Sequence, residues 1–274
     1  MKQTTQSKLI KGIVYSVTSL VGLTILALLI YIIVLGLPNI KLSLFEKEYN
    51  SDNVSLFPAM INTLIVTFVT LLFTIPIGVG SAIYLNEYAK AGNKFVKIIR
   101  ITAETLSGIP SIVYGLFGFL LFVTTLKWQF SLLAGCCTIS IMILPVIIRT
   151  SEESLMDVPK SFREASYALG SGKLRTVFKI VLPSASYGII NGIVLSIGRI
   201  IGETAALIYT AGTVAHIPKS LMGSGRTLSV HLYQLWCEGL ATKQAYATAL
   251  ILLIVVFLLN GVSELLRKLI FKKI

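Results

Sequence analysis

Six long, nearly charge-free apolar runs constrain this 274-residue chain more than any other feature. A helix needs about 20 predominantly apolar residues to cross the hydrocarbon core of a bilayer. Because lipid offers the backbone no hydrogen-bond partners, runs of this length favour membrane-crossing helices. We therefore expect an all-α, polytopic membrane protein. The six predicted transmembrane helices cover about residues 13–37, 60–85, 106–126, 128–148, 184–212 and 245–262.

The charges lie between these runs and predict their orientation. Only 13% of the residues are charged, against about 25% in soluble domains. The formal net charge is +12, but the basic residues form no single patch, which argues against a nucleic-acid partner. With the amino terminus inside, seventeen lysines and arginines fall in inside segments and six in outside segments. This bias predicts a multi-pass membrane protein with both termini in the cytoplasm and with membrane lipid as a contact.

The cysteines and histidines give no sign of a catalytic or metal site. Cys136 and Cys137 are adjacent in an apolar run, and Cys237 is distant in sequence. Neither this spacing nor the surroundings of His216 and His231 match a ligand motif. We expect no catalytic residue, no metal and no cofactor.

A polar, glycine-punctuated segment, about residues 149–183, separates the fourth run from the fifth. Ser161 and Glu164 have the spacing of a capping box, which predicts that a helix starts there. Gly170 and Gly172 predict that this helix stops. The first of two short helices is therefore expected to project from the membrane.

The second short helix is predicted over about 173–181, with its end at Leu182-Pro183. The fragment GSGK between the two helices matches part of the sequence motif of a phosphate-binding loop. A Walker A loop requires glycine where Tyr167 stands, and serine or threonine where Leu174 stands. The segment therefore lacks a nucleotide site, and any ATP hydrolysis is expected on a separate subunit.

The same segment carries a family motif. The residues EAS at Glu164–Ser166, the glycine at Gly170 and the run IVLP ending at Pro183 resemble the EAA signature of binding-protein-dependent ABC importer permeases, with one serine for alanine. The resemblance implies a type I importer permease whose cytoplasmic loop forms coupling helices against an ATPase. It implies that Glu164, Ala165, Gly170 and Pro183 lie at the ATPase contact.

Arg199 and Glu203 are the only charges between Lys179 and Lys219, in the fifth run. Four residues apart, they would share one face of a helix. An arginine at the membrane centre costs about 2.5–3.5 kcal/mol on insertion scales, so such a residue is interpreted first as part of a substrate pathway. The guanidinium fork suits oxyanions, and a carboxylate beside it could accept a hydrogen bond from a protonated phosphate. The alternative is a structural ion pair at the outer end of the span.

The run from Arg199 through Gly202-Glu203-Thr204 resembles the RxxxGETAPL motif of phosphate permeases, with Ala206 in place of proline. Ser107–Gly118 is similar to their third-span signature. The combination resembles the A-type permease of phosphate-specific importers.

The resemblance divides the chain into three parts. Residues 1–60 form an amino-terminal segment with the first transmembrane helix, 61–265 the importer permease domain, and 266–274 a basic cytoplasmic tail.

The resemblance implies a permease subunit of an ATP-driven inorganic phosphate importer of the bacterial cell membrane, and this subunit is not itself an enzyme. The implied partners are a second permease subunit, ATPase subunits and an extracytoplasmic phosphate-binding protein, with phosphate as the transported substrate. Three alternatives stay open: a C-type phosphate permease, a permease for phosphonate, sulfate or molybdate, and a stand-alone channel or proton-coupled carrier that uses Arg199 and Glu203 as a relay.

Overall fold

A computed structural model describes residues 2–90, 92–239 and 241–271. These three ranges contain helices and connections and no β-strand, which confirms the predicted all-α fold. The α-helices in them are α1 (Lys2–Gly36), α2 (Phe57–Ile83), α3 (Lys94–Ser107), α4 (Ser111–Gly118), α5 (Leu132–Met156), α6 (Lys160–Ala168), α7 (Lys173–Thr176), α8 (Leu182–Gly202), α9 (Ala205–Thr210), α10 (Leu228–Glu238) and α11 (Thr242–Phe271).

Five helical stretches in the described ranges are long and apolar enough to cross a membrane. They are Ile10–Asn39, Phe57–Tyr88, Leu132–Met156, Lys173–Gly202 and Thr242–Leu265. A sixth crossing exists only if two helices that meet at a sharp bend, α3 and the stretch Ser111–Thr125, form one broken span. The predicted six spans therefore correspond to five continuous helical stretches and one bent pair.

The predicted third span, about 106–126, is wrong at its start. α3 ends at Ser107, and the chain axis turns by 104° before α4 begins at Ser111. Pro110 causes the break, because it precedes α4 with extended backbone (φ −59°, ψ 140°) and a proline disfavours helix in the residue before it. The stretch Ser111–Thr125 is about 22 Å long at 1.5 Å per residue, which is less than the hydrocarbon thickness of about 30 Å.

α5 is the central helix of the bundle and packs against α2, α3, α4 and α8. It runs from Leu132 to Met156, and the Ser131 hydroxyl caps it by accepting a backbone N–H at 3.3 Å. The predicted limits of 128–148 are wrong at both ends. Residues up to Ser131 form the turn before the helix, while 149–156 continue it, so the polar connection is shorter than predicted.

Glycines let the spans approach α5 closely. A Cβ added at Gly78 on α2 would lie 2.7 Å from the Ile147 side chain. A Cβ added at Gly192 on α8 would overlap the Thr150 hydroxyl. Close approach of this kind is how small residues favour helix association in membranes.

The predicted helix end at Leu182-Pro183 is wrong. The chain stays helical from α7 through a π-helical turn, Val177–Val181, into α8. An interior proline normally breaks a helix because it lacks an N–H and crowds the carbonyl four residues back. Here the Leu182 N–H bonds to the Val177 carbonyl five residues back, and this wider turn lies directly before the proline. The predicted fifth span, 184–212, is also too long, because α8 ends at Gly202.

α1 lies on the outside of the bundle and packs against α11. The Tyr31 and Tyr246 hydroxyls join the two helices at 3.2 Å. α11 continues beyond its predicted end at 262 to Phe271, so the start of the predicted tail, 266–274, is helical. Residues 272–274 of that tail lie outside the described ranges.

Gly192→Ala should destabilise the chain, because the new Cβ would overlap Thr150 and overpacking typically costs about 1–3 kcal/mol. Gly198→Ala on the same helix is the control, since nothing lies within 4 Å of a Cβ at that position. Thermal unfolding of the purified chain in detergent measures both variants. Equal melting temperatures would contradict the close packing of α8 on α5.

Candidate functional site

The two regions singled out by the sequence lie at opposite ends of the bundle. We call the end that carries α6 and α7 the loop end. The opposite end carries residues 203–239, the connection between α1 and α2, and the start of α11. α8 connects them, because its helical run begins with α7 and finishes beside Glu203.

The predicted capping box at the start of α6 is wrong. α6 begins at Lys160 after Pro159, and no side chain caps it. Since the helix starts before Ser161, this serine lies inside the first turn and Glu164 cannot pair with it as a cap.

The predicted stop after α6 is confirmed. Gly170 adopts a φ of +79°, a conformation that glycine takes without strain. Its N–H bonds to the Tyr167 carbonyl at 2.9 Å, and the N–H of Ser171 bonds to the Ser166 carbonyl at 3.1 Å, which is the Schellman arrangement. The buried Ser166 hydroxyl then bonds to that of Thr176 at 2.8 Å and joins α6 to α7.

Arg163 anchors α6 to the membrane-spanning bundle. Its Nη2 lies 2.6 Å from Oε1 of Glu87, at the loop end of the second span, and its Nε lies 3.1 Å from the same oxygen. The guanidinium also donates to the Val158 and Leu155 carbonyls at 2.8 and 2.9 Å. Since only 5% of the Glu87 side chain and 16% of the Arg163 side chain are exposed, this is a buried ion pair with its hydrogen bonds largely satisfied.

An exposed surface remains on α6 and its last turn. We call it the loop surface, and its members are Phe162, Glu164, Ala165, Tyr167, Leu169 and Gly170. Leu169 is 87% exposed and Phe162 48%, so apolar side chains stand out on a helix that is anchored only along its other side. Exposed apolar side chains of this kind mark a protein contact more often than an ordinary polar surface does.

Pro183 does not belong to the loop surface. It is half-buried at the start of α8, where its carbonyl accepts the Ser186 hydroxyl at 2.5 Å. Four residues were expected at the ATPase contact. The structure brings Glu164, Ala165 and Gly170 together at an exposed site, whereas Pro183 lies apart from them in the first turn of α8.

One face of α8 is exposed along its whole length. We call it the α8 face, and its members are Ser184, Tyr187, Asn191, Leu195, Arg199 and Gly202. The spacing of three or four residues places them on one side of a helix. Arg199 lies within electrostatic range of the Tyr114 hydroxyl on α4. A membrane-spanning helix thus presents an arginine and other polar groups on an uncovered face.

The expectation that Arg199 and Glu203 share one helix face is wrong. α8 ends at Gly202, and Glu203 is extended (φ −70°, ψ 127°). Its carboxylate Oε1 accepts the Ala206 N–H at 3.0 Å and so caps α9, while its carbonyl accepts the Ser229 hydroxyl at 2.6 Å. Glu203 is therefore buried, Arg199 is exposed, and within the described ranges no salt bridge joins them.

Sequence reasoning did not identify the partner of Arg163. Glu87 lies 76 residues away, so no local spacing connects the two. One signal was present: Glu87 is the only acidic residue between Asp52 and Glu104, and it stands at the end of an apolar run.

Residues 74–274 match the family described as binding-protein-dependent transport system inner membrane component. The chain belongs to this family of ABC importer permeases. The permease is 31% identical to the probable ABC transporter permease protein YqgI of Bacillus subtilis, over 100% of the permease and 99% of that protein. It is 36% identical to the phosphate transport system permease protein PstA 1 of Mycobacterium tuberculosis, over 77% of the permease and 70% of that protein.

Solved importer structures share the fold of the permease. A chain of the bacterial alginate ABC transporter, in complex with an alginate pentasaccharide-bound periplasmic protein, has a TM-score of 0.64 at 17% identity, over 91% of the permease and 92% of that chain. A chain of the inward-facing MetNI methionine ABC transporter has a TM-score of 0.62 at 20% identity, over 78% and 94%. These likenesses confirm the expected importer-permease fold and carry no information on substrate.

Arg163→Ala should strongly destabilise the permease, because the Glu87 carboxylate would stay buried without its partner. Breaking a buried ion pair in this way typically costs about 3–5 kcal/mol. Arg149→Ala is the control, since its 3.0 Å pair with Glu153 is exposed and such pairs contribute about 0–1 kcal/mol.

Thermal unfolding of both variants in detergent distinguishes the two cases. The double variant Glu87→Gln/Arg163→Gln should recover part of the loss, because it leaves no unpaired charge. An Arg163→Ala melting temperature as high as that of Arg149→Ala would show that the ion pair does not hold α6 in place.

Proposed function

We propose that the permease is the membrane subunit of an ATP-driven importer of inorganic phosphate. In this proposal the loop end and both termini face the cytoplasm, and the loop surface docks on a separate ATPase subunit. A second permease subunit covers the α8 face, and an extracytoplasmic binding protein delivers phosphate to the opposite end.

The exposed α8 face is the observation that carries this proposal. Charged and polar groups in membrane spans normally face a protein interior or a water-filled cavity rather than lipid. Because Arg199 is exposed on this face, we place a second subunit opposite it, with the translocation pathway between the two. The other polar members of the face extend the pathway towards the loop end.

Arg199 is the group in this pathway that suits an oxyanion. Its guanidinium is always charged and presents donors in a planar fork that matches two oxygens of a phosphate. A transport site must also release its ion, so a single exposed arginine is better suited to the task than an enclosed cage of donors. Phosphate is favoured over other oxyanions by relatives named as phosphate transport system permeases, at 36–42% identity.

Glu203 has a different role in this proposal from Arg199. Its carboxylate closes the helix break by capping α9, and its carbonyl is held by Ser229 on α10. A movement of α8 would break the hydrogen bond between the Glu203 carboxylate and the Ala206 N–H. Glu203 would then act as a hinge whose freed carboxylate faces the anion. A protonated phosphate could then donate a hydrogen bond to that carboxylate.

Uptake of radioactive phosphate into membrane vesicles tests the proposed function. We expect Arg199→Gln to lower uptake by about 10–100-fold, because a hydrogen bond to a charged group contributes about 1.5–3 kcal/mol. Glu203→Gln should also lower uptake while leaving the fold intact, since the glutamine oxygen can still accept the Ala206 N–H. Lys243→Gln, which removes a charge from an exposed residue at the opposite end, should have no effect.

Competition by unlabelled anions identifies the substrate in the same assay. Phosphate should compete fully, whereas sulfate, molybdate and phosphonate should not. Full competition by one of these three anions would identify that anion, rather than phosphate, as the substrate. Uptake by the purified permease without ATP or partners would contradict the importer mechanism, and wild-type uptake by Arg199→Gln would contradict the pathway.

A further inference from the structure

A buried cluster of one arginine and one histidine lies at the opposite end. Arg226, just before α10, is only 5% exposed, and His231 within α10 is fully buried. The Tyr49 ring, from the connection between α1 and α2, lies 4.5 Å from Cζ of Arg226 and packs edge-on against His231 at 6.1 Å. Tyr49 thus covers both side chains.

Several polar atoms of this cluster lack a hydrogen-bond partner in the described part of the chain. Among the residues that the structure describes, neither Nε nor Nη2 of Arg226 has a hydrogen-bond partner, and the same holds for both ring nitrogens of His231. Nε and Nη2 form the edge of a guanidinium that binds two oxygens of one carboxylate or phosphate. A buried charge is costly unless it is paired, so this edge is poised for an anion.

The backbone holds Arg226 firmly in this position. Its N–H bonds to the Val214 carbonyl at 2.9 Å, and its carbonyl accepts the Asn62 side-chain amide at 3.1 Å. The same Asn62 amide also donates to the His216 carbonyl at 2.9 Å. The burial of the guanidinium is therefore built into the packing of α2 against the connection before α10.

His231 adds a neutral polar group to the charge of Arg226. Burial, together with the Arg226 charge, lowers the pKa of His231 to about 3, so the ring is uncharged at physiological pH. A neutral imidazole offers one N–H donor and one acceptor. It can therefore donate to an oxyanion or accept a hydrogen bond from a protonated one.

We propose that Arg226 and His231 form an oxyanion-binding site at the opposite end, with Tyr49 as its cover. The ligand class is a tetrahedral oxyanion with two oxygens on the Nε–Nη2 edge, and inorganic phosphate is the member expected if the proposed function holds. The inference rests on that function for the identity of the anion. The site is distinct from the Arg199 contact. Ser229, between Arg226 and His231 in sequence, connects it to the end of α8, because its hydroxyl donates to the Glu203 carbonyl at 2.6 Å.

Equilibrium binding of radioactive phosphate to the full chain tests the site. The chain is placed in phosphatidylcholine nanodiscs, which contain no anionic lipid, and carries Arg199→Gln so that the pathway contact is removed. We expect saturable binding that Arg226→Met weakens at least about tenfold, as the loss of a bidentate charged contact implies. Arg226→Lys should also weaken it, because lysine keeps the charge but lacks the fork.

Two further variants test the cover and the specificity. Tyr49→Ala should strengthen phosphate binding, because the ring no longer has to be displaced. Lys219→Met removes an exposed cation from the connection between α9 and α10, which also carries Arg226, and this variant should bind phosphate like the parent chain. Melting temperatures provide a second readout. Without phosphate, Arg226→Met should melt above the parent, since an unpaired buried charge is gone, and phosphate should stabilise the parent but not Arg226→Met.

The outcomes separate this site from the proposed function. Absence of phosphate binding in the parent, or unchanged binding in Arg226→Met, overturns the site even if vesicles take up phosphate. Lower stability of Arg226→Met together with unchanged binding would assign Arg226 a packing role on Tyr49. Phosphate binding that depends on Arg226 supports the site, even if uptake assays identify another oxyanion as the transported substrate.

Discussion

The guanidinium of Arg163 is the contact on which the loop end depends. It joins α6 to Glu87 at the end of the second span, to the Leu155 carbonyl in α5 and to the Val158 carbonyl just after α5. Burying two opposite charges costs free energy that only good geometry and further hydrogen bonds offset, and here the arginine has both. α6 is therefore fixed to two spans through its inner side, which leaves its outer side exposed as the loop surface. A force applied to that surface would act on the spans through the same contact.

α8 extends this connection across the bundle. The Ser166–Thr176 hydrogen bond joins α6 to α7, and α7 continues without a break through the π-helical turn into α8. The wider turn keeps the helix intact at Pro183, so displacement of the loop surface would move one continuous helix that reaches Gly202. This helix ends at the break that Glu203 stabilises, and Arg199 lies one turn before the break. In the proposed transport cycle, the loop surface and the anion contact are two ends of the same helix.

The sequence predicted the features that depend on composition and local spacing. The all-α fold, the long spans and the Gly170 stop follow from apolar run length and backbone preference. One failure comes from a contact between residues distant in sequence, and the others come from local helix breaks and turns that apolar run length and spacing do not show. Arg163 and Glu87 are 76 residues apart, so the anchor of α6 was not found. The spacing of Arg199 and Glu203 favoured a continuous helix. In the structure Glu203 lies after the end of α8 and caps α9 instead.

The central claim is that the loop surface couples the permease to an ATPase. Co-purification of the ATPase subunit with the permease, followed by measurement of ATP turnover with phosphate-loaded binding protein, tests it most directly. The comparison is between Ala165→Glu, which places a bulky charge on the loop surface, and Ser51→Glu, which places the same charge on an exposed residue at the opposite end. We predict that Ala165→Glu loses the ATPase or its phosphate-dependent turnover, while Ser51→Glu retains both. Retention of the ATPase and of wild-type turnover by Ala165→Glu would contradict the account.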